Sequence, residues 1–374
     1  MDKKRIILIK TNLLDRDPRL AKEIDTLSRG GYVVTLLCWD RDCKDSGSQK
    51  REIGAYYKEI RLKLRAPWGL KVVPFLPIWW CFEFFWLVVS TWDVAHAINF
   101  DCVIPAVIIG KFKRRPIIYE IFDVYADQVV LPRVLREIGV RAEKSLMCLA
   151  TAIIVANEAQ PKEIGGIPNS NVVGVYNSPP DLFKRLTVQG DDTFTIFFAG
   201  VLQRSRRANL DKVCQAIRDI GGARLIIAGY GDEVGDIKRW VKEAAGKAKF
   251  IGKISYAKVL EITMRSDLLF VLYDPIVLTT RYAGCNKLFE AMMCHKPILV
   301  SKRTAMADIV EKENCGLAVD SSSVEEIQEA VVKLKEDPEL YCRLGANGRR
   351  AYEKKYSWEI MEQRLIALYQ QITK

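Results

Sequence analysis

Histidine is almost missing from the 374-residue chain, which has only His96 and His295. A Ser-His-Asp hydrolase or a histidine-rich metal centre is hard to build from two. The ten cysteines contain no Cys-x-x-Cys pair, and several sit in apolar runs where cysteine behaves as a small hydrophobe. A reduced setting without a zinc site is therefore expected. Internal repeats and low-complexity tracts are absent, as are an RNP-type aromatic pattern, a recognition helix and a zinc finger. Nucleic acid is thus set aside as a partner, although the net charge is +11. That charge suits nucleotide diphosphates or anionic lipid headgroups. Met1-Asp-Lys-Lys-Arg runs straight into Ile6–Ile9, so no signal peptide and a cytoplasmic location are expected.

Hydrophobic residues make up 49% and charged residues 28% of the chain. This is a globular balance, and the length suits two domains. Apolar runs at Arg5–Ile9 and Tyr32–Leu37 flank an amphipathic stretch, Arg19–Arg29, that ends at Gly30-Gly31. Together they open a doubly wound parallel sheet. Runs at Asp93–Ile98, Pro116–Tyr119, Ile153–Val155 and Val172–Tyr176 extend a first domain over 1–180, with Asn177-Ser-Pro-Pro180 as linker. A second domain, 181–355, has strand signals at Phe194–Phe198, Leu225–Ala228, Phe250–Gly252, Leu268–Leu272 and Ile298–Val300. A terminal helix fills 356–374.

The most specific stretch is Arg281–Val300. Gly284 and Asn286 suit a turn and cap, Lys287–Cys294 a short helix with Leu288 and Met292 inward, and Lys296-Pro297 a stop before a strand. Glu290 shares a helix face with Asn286 and Lys287. A loop feeding a helix N-terminus favours anions, and an acid one turn in can accept hydrogen bonds from sugar hydroxyls. A plain crossover with a solvated glutamate has the same periodicity. Upstream, Arg204, Arg206 and Arg207 follow a strand and a glycine and precede a helix near Leu210–Ile217. They suit a phosphate clamp or a solvated basic loop. Gly229, in Gly-Tyr-Gly, is placed on the same side, although close packing alone explains a lone Gly-x-Gly.

Between Lys50 and Lys71 basic residues dominate, and Val72–Val89 follows with Trp79, Trp80 and Trp86. A helix starting after Pro77 would be about 15 residues, roughly 22 Å, short of the ~30 Å hydrocarbon core. It is expected not to span a membrane. A buried core helix and an interfacial anchor, with Trp68 and these indoles at headgroup level beside the basic run, both remain open.

Asn286-Lys-Leu-Phe-Glu290-Ala-Met with Lys296-Pro297, the opening Asp17-Pro-Arg-Leu20, Asp93-Val-Ala-His-Ala97 and the hinge Tyr176-Asn-Ser-Pro-Pro180 resemble family-4 retaining glycosyltransferases of group 1, of the GT-B fold. The resemblance covers nearly the whole chain. It implies an α/β architecture of two Rossmann-like domains facing across a cleft, with the C-terminal helix crossing back to the first. It also implies metal-independent sugar transfer, with retention, from a nucleotide-diphosphate sugar to a glycan or lipid-linked acceptor. No cofactor is implied, since the nucleotide sugar is a substrate.

On the donor side the resemblance points to Arg204, Arg206, Arg207, Gly229, Asn286, Lys287, Leu288 and Glu290. The catalytic residues would be Glu290 and Asp123, and Arg19, Glu120 and Asp123 would serve the acceptor. A peripheral position on the inner face of the cell membrane completes the expectation. Departures from the pattern are Cys285 for a proline, Tyr282 at the first of two glutamates, Phe122 for a histidine, and no paired glycines after the first strand. A GT-B sugar-nucleotide epimerase and a non-catalytic sugar-nucleotide-binding protein are the alternatives.

Overall fold

A computed structural model describes residues 3–14, 17–43, 57–67, 69–122, 133–163, 165–182, 193–284 and 286–373. Asp123, Trp68 and Cys285 lie outside the described residues. The chain divides into two units, Met1–Val175 with Met361–Lys374, and Tyr176–Ile360.

The first unit is a seven-stranded sheet: β1 (Arg5–Lys10), β2 (Val33–Asp40), β3 (Tyr57–Lys63), β4 (Val94–Ile98), β5 (Ile117–Ile121), β6 (Ala152–Val155) and β7 (Val172–Gly174). All pairs are parallel, in the order β3-β2-β1-β4-β5-β6-β7. Its helices are α1 (Pro18–Arg29), α2 (Leu76–Val89), α3 (Phe100–Lys113), α4 (Arg133–Leu149) and α5 (Gln160–Glu163). Parallel strands are covered on both faces, and β4, β5 and β6 are buried at every residue. Strand β3 escapes that rule and was not expected from the sequence. It is the edge strand and carries Lys58, Glu59, Arg61 and Lys63, charges that keep an edge from pairing with other chains. Asp17 caps α1 by accepting from the Leu20 N–H at 3.1 Å, with Pro18 at the first helical position.

A buried charge network crosses this unit. Arg19 of α1 donates to Glu23 Oε1 at 2.9 Å and pairs with Glu120 at the end of β5. The other oxygen of Glu120 lies 3.0 Å from His96 Nε2 on β4, and His96 Nδ1 is 2.7 Å from the Tyr369 hydroxyl. Tyr369 belongs to the last helix, α14 below, which also places Glu362 against Thr26 at 3.0 Å and against Arg29. Burial pushes the Glu120 carboxyl up, but Arg19 and then His96 outweigh it and hold it at about 2. Burial and the charge of Glu120 push Glu23 well above the ordinary range, so one cation serves one ionised carboxylate. This corrects the sequence expectation for Arg19 and Glu120. Both are buried and occupied by this network, so neither faces an acceptor. His96 is the structural histidine that its apolar strand suggests.

Helix α2 buries one stripe, Leu76, Trp79, Glu83 and Leu87. Trp79 stacks on Trp39 at 5.8 Å, and the Trp80 indole donates to the Asp101 carbonyl at 2.9 Å. The Trp79 and Trp80 indoles therefore turn toward protein, which for these two favours the core-helix reading over the aromatic belt at headgroup level. Lys71–Val89 is long and apolar enough to cross a membrane by length and composition. Its α-helical part, however, is 14 residues, about 21 Å.

The second unit is a six-stranded parallel sheet: β8 (Phe194–Val201), β9 (Ala223–Tyr230), β10 (Ala248–Phe250), β11 (Leu268–Val271), β12 (Ile298–Ser301) and β13 (Gly316–Val319), in the order β10-β9-β8-β11-β12-β13. Its helices are α6 (Leu210–Arg218), α7 (Val234–Glu243), α8 (Tyr256–Arg265), α9 (Leu278–Arg281), α10 (Asn286–Met293), α11 (Ala305–Glu313), α12 (Val324–Glu336) and α13 (Pro338–Ala351). A π turn, Tyr352–Tyr356, leads to α14 (Trp358–Ile372), whose residues from Met361 on join the first unit. The Ser-Pro-Pro-Asp run is held rather than loose. Arg349 donates to both oxygens of Asp181, at 3.0 and 2.5 Å, and the Tyr352 hydroxyl donates to the Pro179 carbonyl at 2.7 Å.

Replacing Arg19 by Met removes the cation from the ionised, buried Glu120 and the hydrogen bond to Glu23, and should destabilise the protein by about 3–5 kcal/mol, read as a fall in the urea midpoint. A loss under about 1 kcal/mol would show that the network is not holding the unit together. Glu120, with its folded pKa lowered from 4.5 to about 2, contributes stability that is present above pH 4.5 and lost as pH falls toward 2.

Candidate functional site

Strand order in the second unit reverses between β8 and β11, and an open parallel sheet binds its ligands outside the C-terminal ends of strands at such a point. The loop after β8 is tied across that point. Arg207 and Asn209 both take left-handed backbone, φ 44° and 48°, which is uncommon for residues with a side chain. Such conformations persist where surrounding contacts enforce them. Here the Asp274 N–H donates to the Arg207 carbonyl at 3.0 Å, and the Asn209 amide donates to the Leu272 carbonyl at 2.9 Å. Asp274 also pairs with the Arg207 guanidinium at 3.1 Å.

The three arginines differ in what they can offer. Arg204 pairs with Asp236 at 2.5 Å and Arg207 with Asp274, so each already has a carboxylate partner. Arg206 projects from the same single 3-10 turn and is exposed. All three side chains are solvent-accessible, and an incoming polyanion would compete with the two aspartates rather than with buried partners.

Helix α10 begins at Asn286, half-buried, and carries Lys287 and Glu290 on one face. Lys287 is 8% exposed, with its ammonium 4.5 Å from the Phe198 ring centroid and 5.9 Å from that of Tyr273. Phe198 lies on β8 and Tyr273 just past β11, so this cation sits at the reversal. Gly200 makes the room: a Cβ there would come within 3.2 Å of the Lys287 ammonium. Glu290 is 4% exposed and accepts from the Tyr256 hydroxyl at 3.1 Å. Burial, then the Glu290 charge, push that hydroxyl well above its ordinary range. Leu288 is fully buried and serves packing. The first-glutamate position holds Tyr282, half-buried, with the Arg281 guanidinium 5.5 Å from its ring.

Gly229 is explained by packing. Its φ is +150°, and a Cβ would lie 2.1 Å from the Gly200 carbonyl oxygen, so its side-chain face is closed by the neighbouring strand. In the first unit, Phe122 stands where the resemblance expects a histidine, and its ring receives two cations, Lys10 at 3.5 Å and Arg19 at 4.5 Å. The structure thus brings Lys287 and Glu290 together on one helix face and sets the arginine loop at the same sheet reversal. Sequence reasoning missed Tyr256, Asn209, Asp236 and Asp274. Only Asp274 lay beside a marked element, two residues past the strand signal at Leu268–Leu272.

Residues 182–351, which contain all of these donor-side candidates, match the family model described as glycosyl transferases group 1. Among curated proteins, the chain is 26% identical over 174 residues to a Corynebacterium glutamicum protein named GDP-mannose-dependent monoacylated alpha-(1-6)-phosphatidylinositol monomannoside mannosyltransferase. That match covers 44% of each chain, and the chain spans less than half the length of the curated relatives it matches first. Its structure resembles sucrose-phosphate synthase from Thermosynechococcus elongatus, with a TM-score of 0.78, 17% identity and 99% of both chains covered. It also resembles Anabaena HepE in complex with UDP, with a TM-score of 0.73, 14% identity, and 98% of this chain and 100% of that one covered. Residues 182–351 thus resemble the group 1 glycosyl transferases, and the architecture is the GT-B fold of two Rossmann-like parallel sheets.

Proposed function

We propose that the chain is a retaining glycosyltransferase that moves a sugar from a nucleotide-diphosphate sugar to a lipid-linked or cell-surface glycan precursor, working on the cytoplasmic side of the membrane. The observation that carries this is the pairing on α10 of a nearly buried cation, Lys287, with a nearly buried acid, Glu290, at the sheet reversal. The name of the Corynebacterium relative pairs a nucleotide-sugar donor with an acylated lipid acceptor, and HepE has been solved with UDP and with UDP-glucose. Both support a donor and acceptor of these classes.

In this mechanism the bond from the anomeric carbon to the diphosphate breaks, and its electron pair goes to the leaving phosphate oxygen. Lys287 and Arg206 stabilise that charge, with Arg204 and Arg207 available once the diphosphate displaces Asp236 and Asp274. The acceptor oxygen bonds to the same face, and its proton passes to the departing phosphate, so no protein base is required. Glu290 orients a ribose or sugar hydroxyl, and Tyr256 holds that carboxylate in place. No metal has a part in these steps.

Two outcomes are expected. Replacing Arg206 and Arg207 together by Ala should weaken nucleoside-diphosphate binding at least about tenfold in calorimetry, because charge-assisted contacts contribute roughly 1.5–3 kcal/mol each. Affinity within about threefold of wild type would put the clamp elsewhere. Glu290→Gln keeps the shape but removes the charge, and should lower kcat about 10²-fold with KM little changed. A variant of near-normal turnover would remove Glu290 from the mechanism.

A further inference from the structure

Helix α2 is built inside out. The single charged residue of α2, Glu83, is in the buried stripe, where burial and then the charge of Asp101 push its carboxyl well above the ordinary range. The outward face carries Ile78, Phe84, Phe85, Val88 and Val89, all 43% exposed or more. Across from it, α3 exposes Ile108 and, at 85%, Phe112. A soluble surface seldom gathers this much apolar area in one place.

Between the helices runs a groove of about 600 Å³ lined by apolar side chains, among them Pro77, Trp80, Phe84, Val88, Ile104 and Ile108. Its two ends differ. At one, Trp80 meets the Asp101 carbonyl at the start of α3. At the other, the Lys113 ammonium donates to the Val88 carbonyl at 2.7 Å, Lys111 and Arg114 lie exposed beside Phe112, and Arg115 is paired with Asp93 at 3.0 Å. A chargeless slot with cations at one mouth matches an amphiphile with an anionic head and an apolar tail.

From this placement we infer that the α2/α3 groove takes one hydrocarbon chain of an anionic membrane lipid, the headgroup resting on Lys111 and Arg114 and the tail running toward Pro77. This deepens the membrane side of the function proposed above and rests on it. A second copy of this chain, packed through the same apolar face, is the competing occupant.

The test uses the full chain with phosphatidylcholine vesicles, with and without phosphatidylglycerol brominated along its acyl chains. Sedimentation should show at least about tenfold tighter binding to the anionic vesicles, fading with salt. Tryptophan emission should be quenched by the brominated chains, with about half or more of the quenching lost in Trp80→Phe while vesicle binding is retained. Ile108→Glu, at an exposed rim position, should weaken vesicle binding at least about tenfold and leave nucleoside-diphosphate binding intact, which also reports its folding. Vesicle binding whose quenching ignores Trp80→Phe would overturn chain entry. A failure to bind vesicles, with or without a dimer in light scattering that Ile108→Glu dissociates, would overturn the lipid. Sugar transfer is read separately: wild type that takes up the brominated chain but transfers no sugar upholds the groove and sinks the proposed activity.

Discussion

The first unit depends on one buried cation. Arg19 stands between two carboxylates from different elements, and through Glu120 and His96 its charge reaches Tyr369 on the last helix. Ions removed from water cost several kcal/mol each unless they are matched, so the arrangement works only when α1, β4, β5 and α14 are all present. That requirement explains how the final residues of the chain become part of the unit that begins it. It also accounts for the two residues expected at an acceptor: their charges are spent on architecture.

The second unit solves a different problem, fixing polar groups at a sheet reversal, with the arginines exposed on their loop and Lys287 and Glu290 nearly buried on α10. Backbone strain at Arg207 and Asn209 is fixed by contacts from the strand on the far side of the reversal, which sets the loop in one conformation before any ligand arrives. Gly200 leaves space for the Lys287 ammonium, and Phe198 and Tyr273 give it aromatic faces in place of water. Preorganisation of this kind is what charge stabilisation at a leaving group needs.

Much of this was legible in the sequence. Parallel strands buried on both faces announce themselves as apolar runs, and α10 announced itself through a turn, a cap and a proline stop. β3 did not, because an edge strand protected by alternating charge looks like a basic surface tract. Arg19 and Glu120 were placed wrongly because their partners lie in distant elements, Glu120 being 101 residues from Arg19 and His96 273 residues from Tyr369. Trp79 and Trp80 suggested a headgroup belt by composition, whereas orientation on the helix turned them to protein and left phenylalanine, isoleucine and valine outside. Asp123 falls outside the described residues, so its proposed part rests on sequence alone.

The central claim is transfer of a sugar with its anomeric configuration kept, and product analysis tests it most directly. The chain would be incubated with ¹³C-labelled GDP-mannose or UDP-glucose and a membrane lipid extract, and the labelled product examined by NMR for its anomeric carbon–hydrogen coupling. The account predicts a labelled glycolipid with the configuration of the donor. A product of opposite configuration, or a chain that binds the nucleotide sugar and transfers nothing, would contradict it.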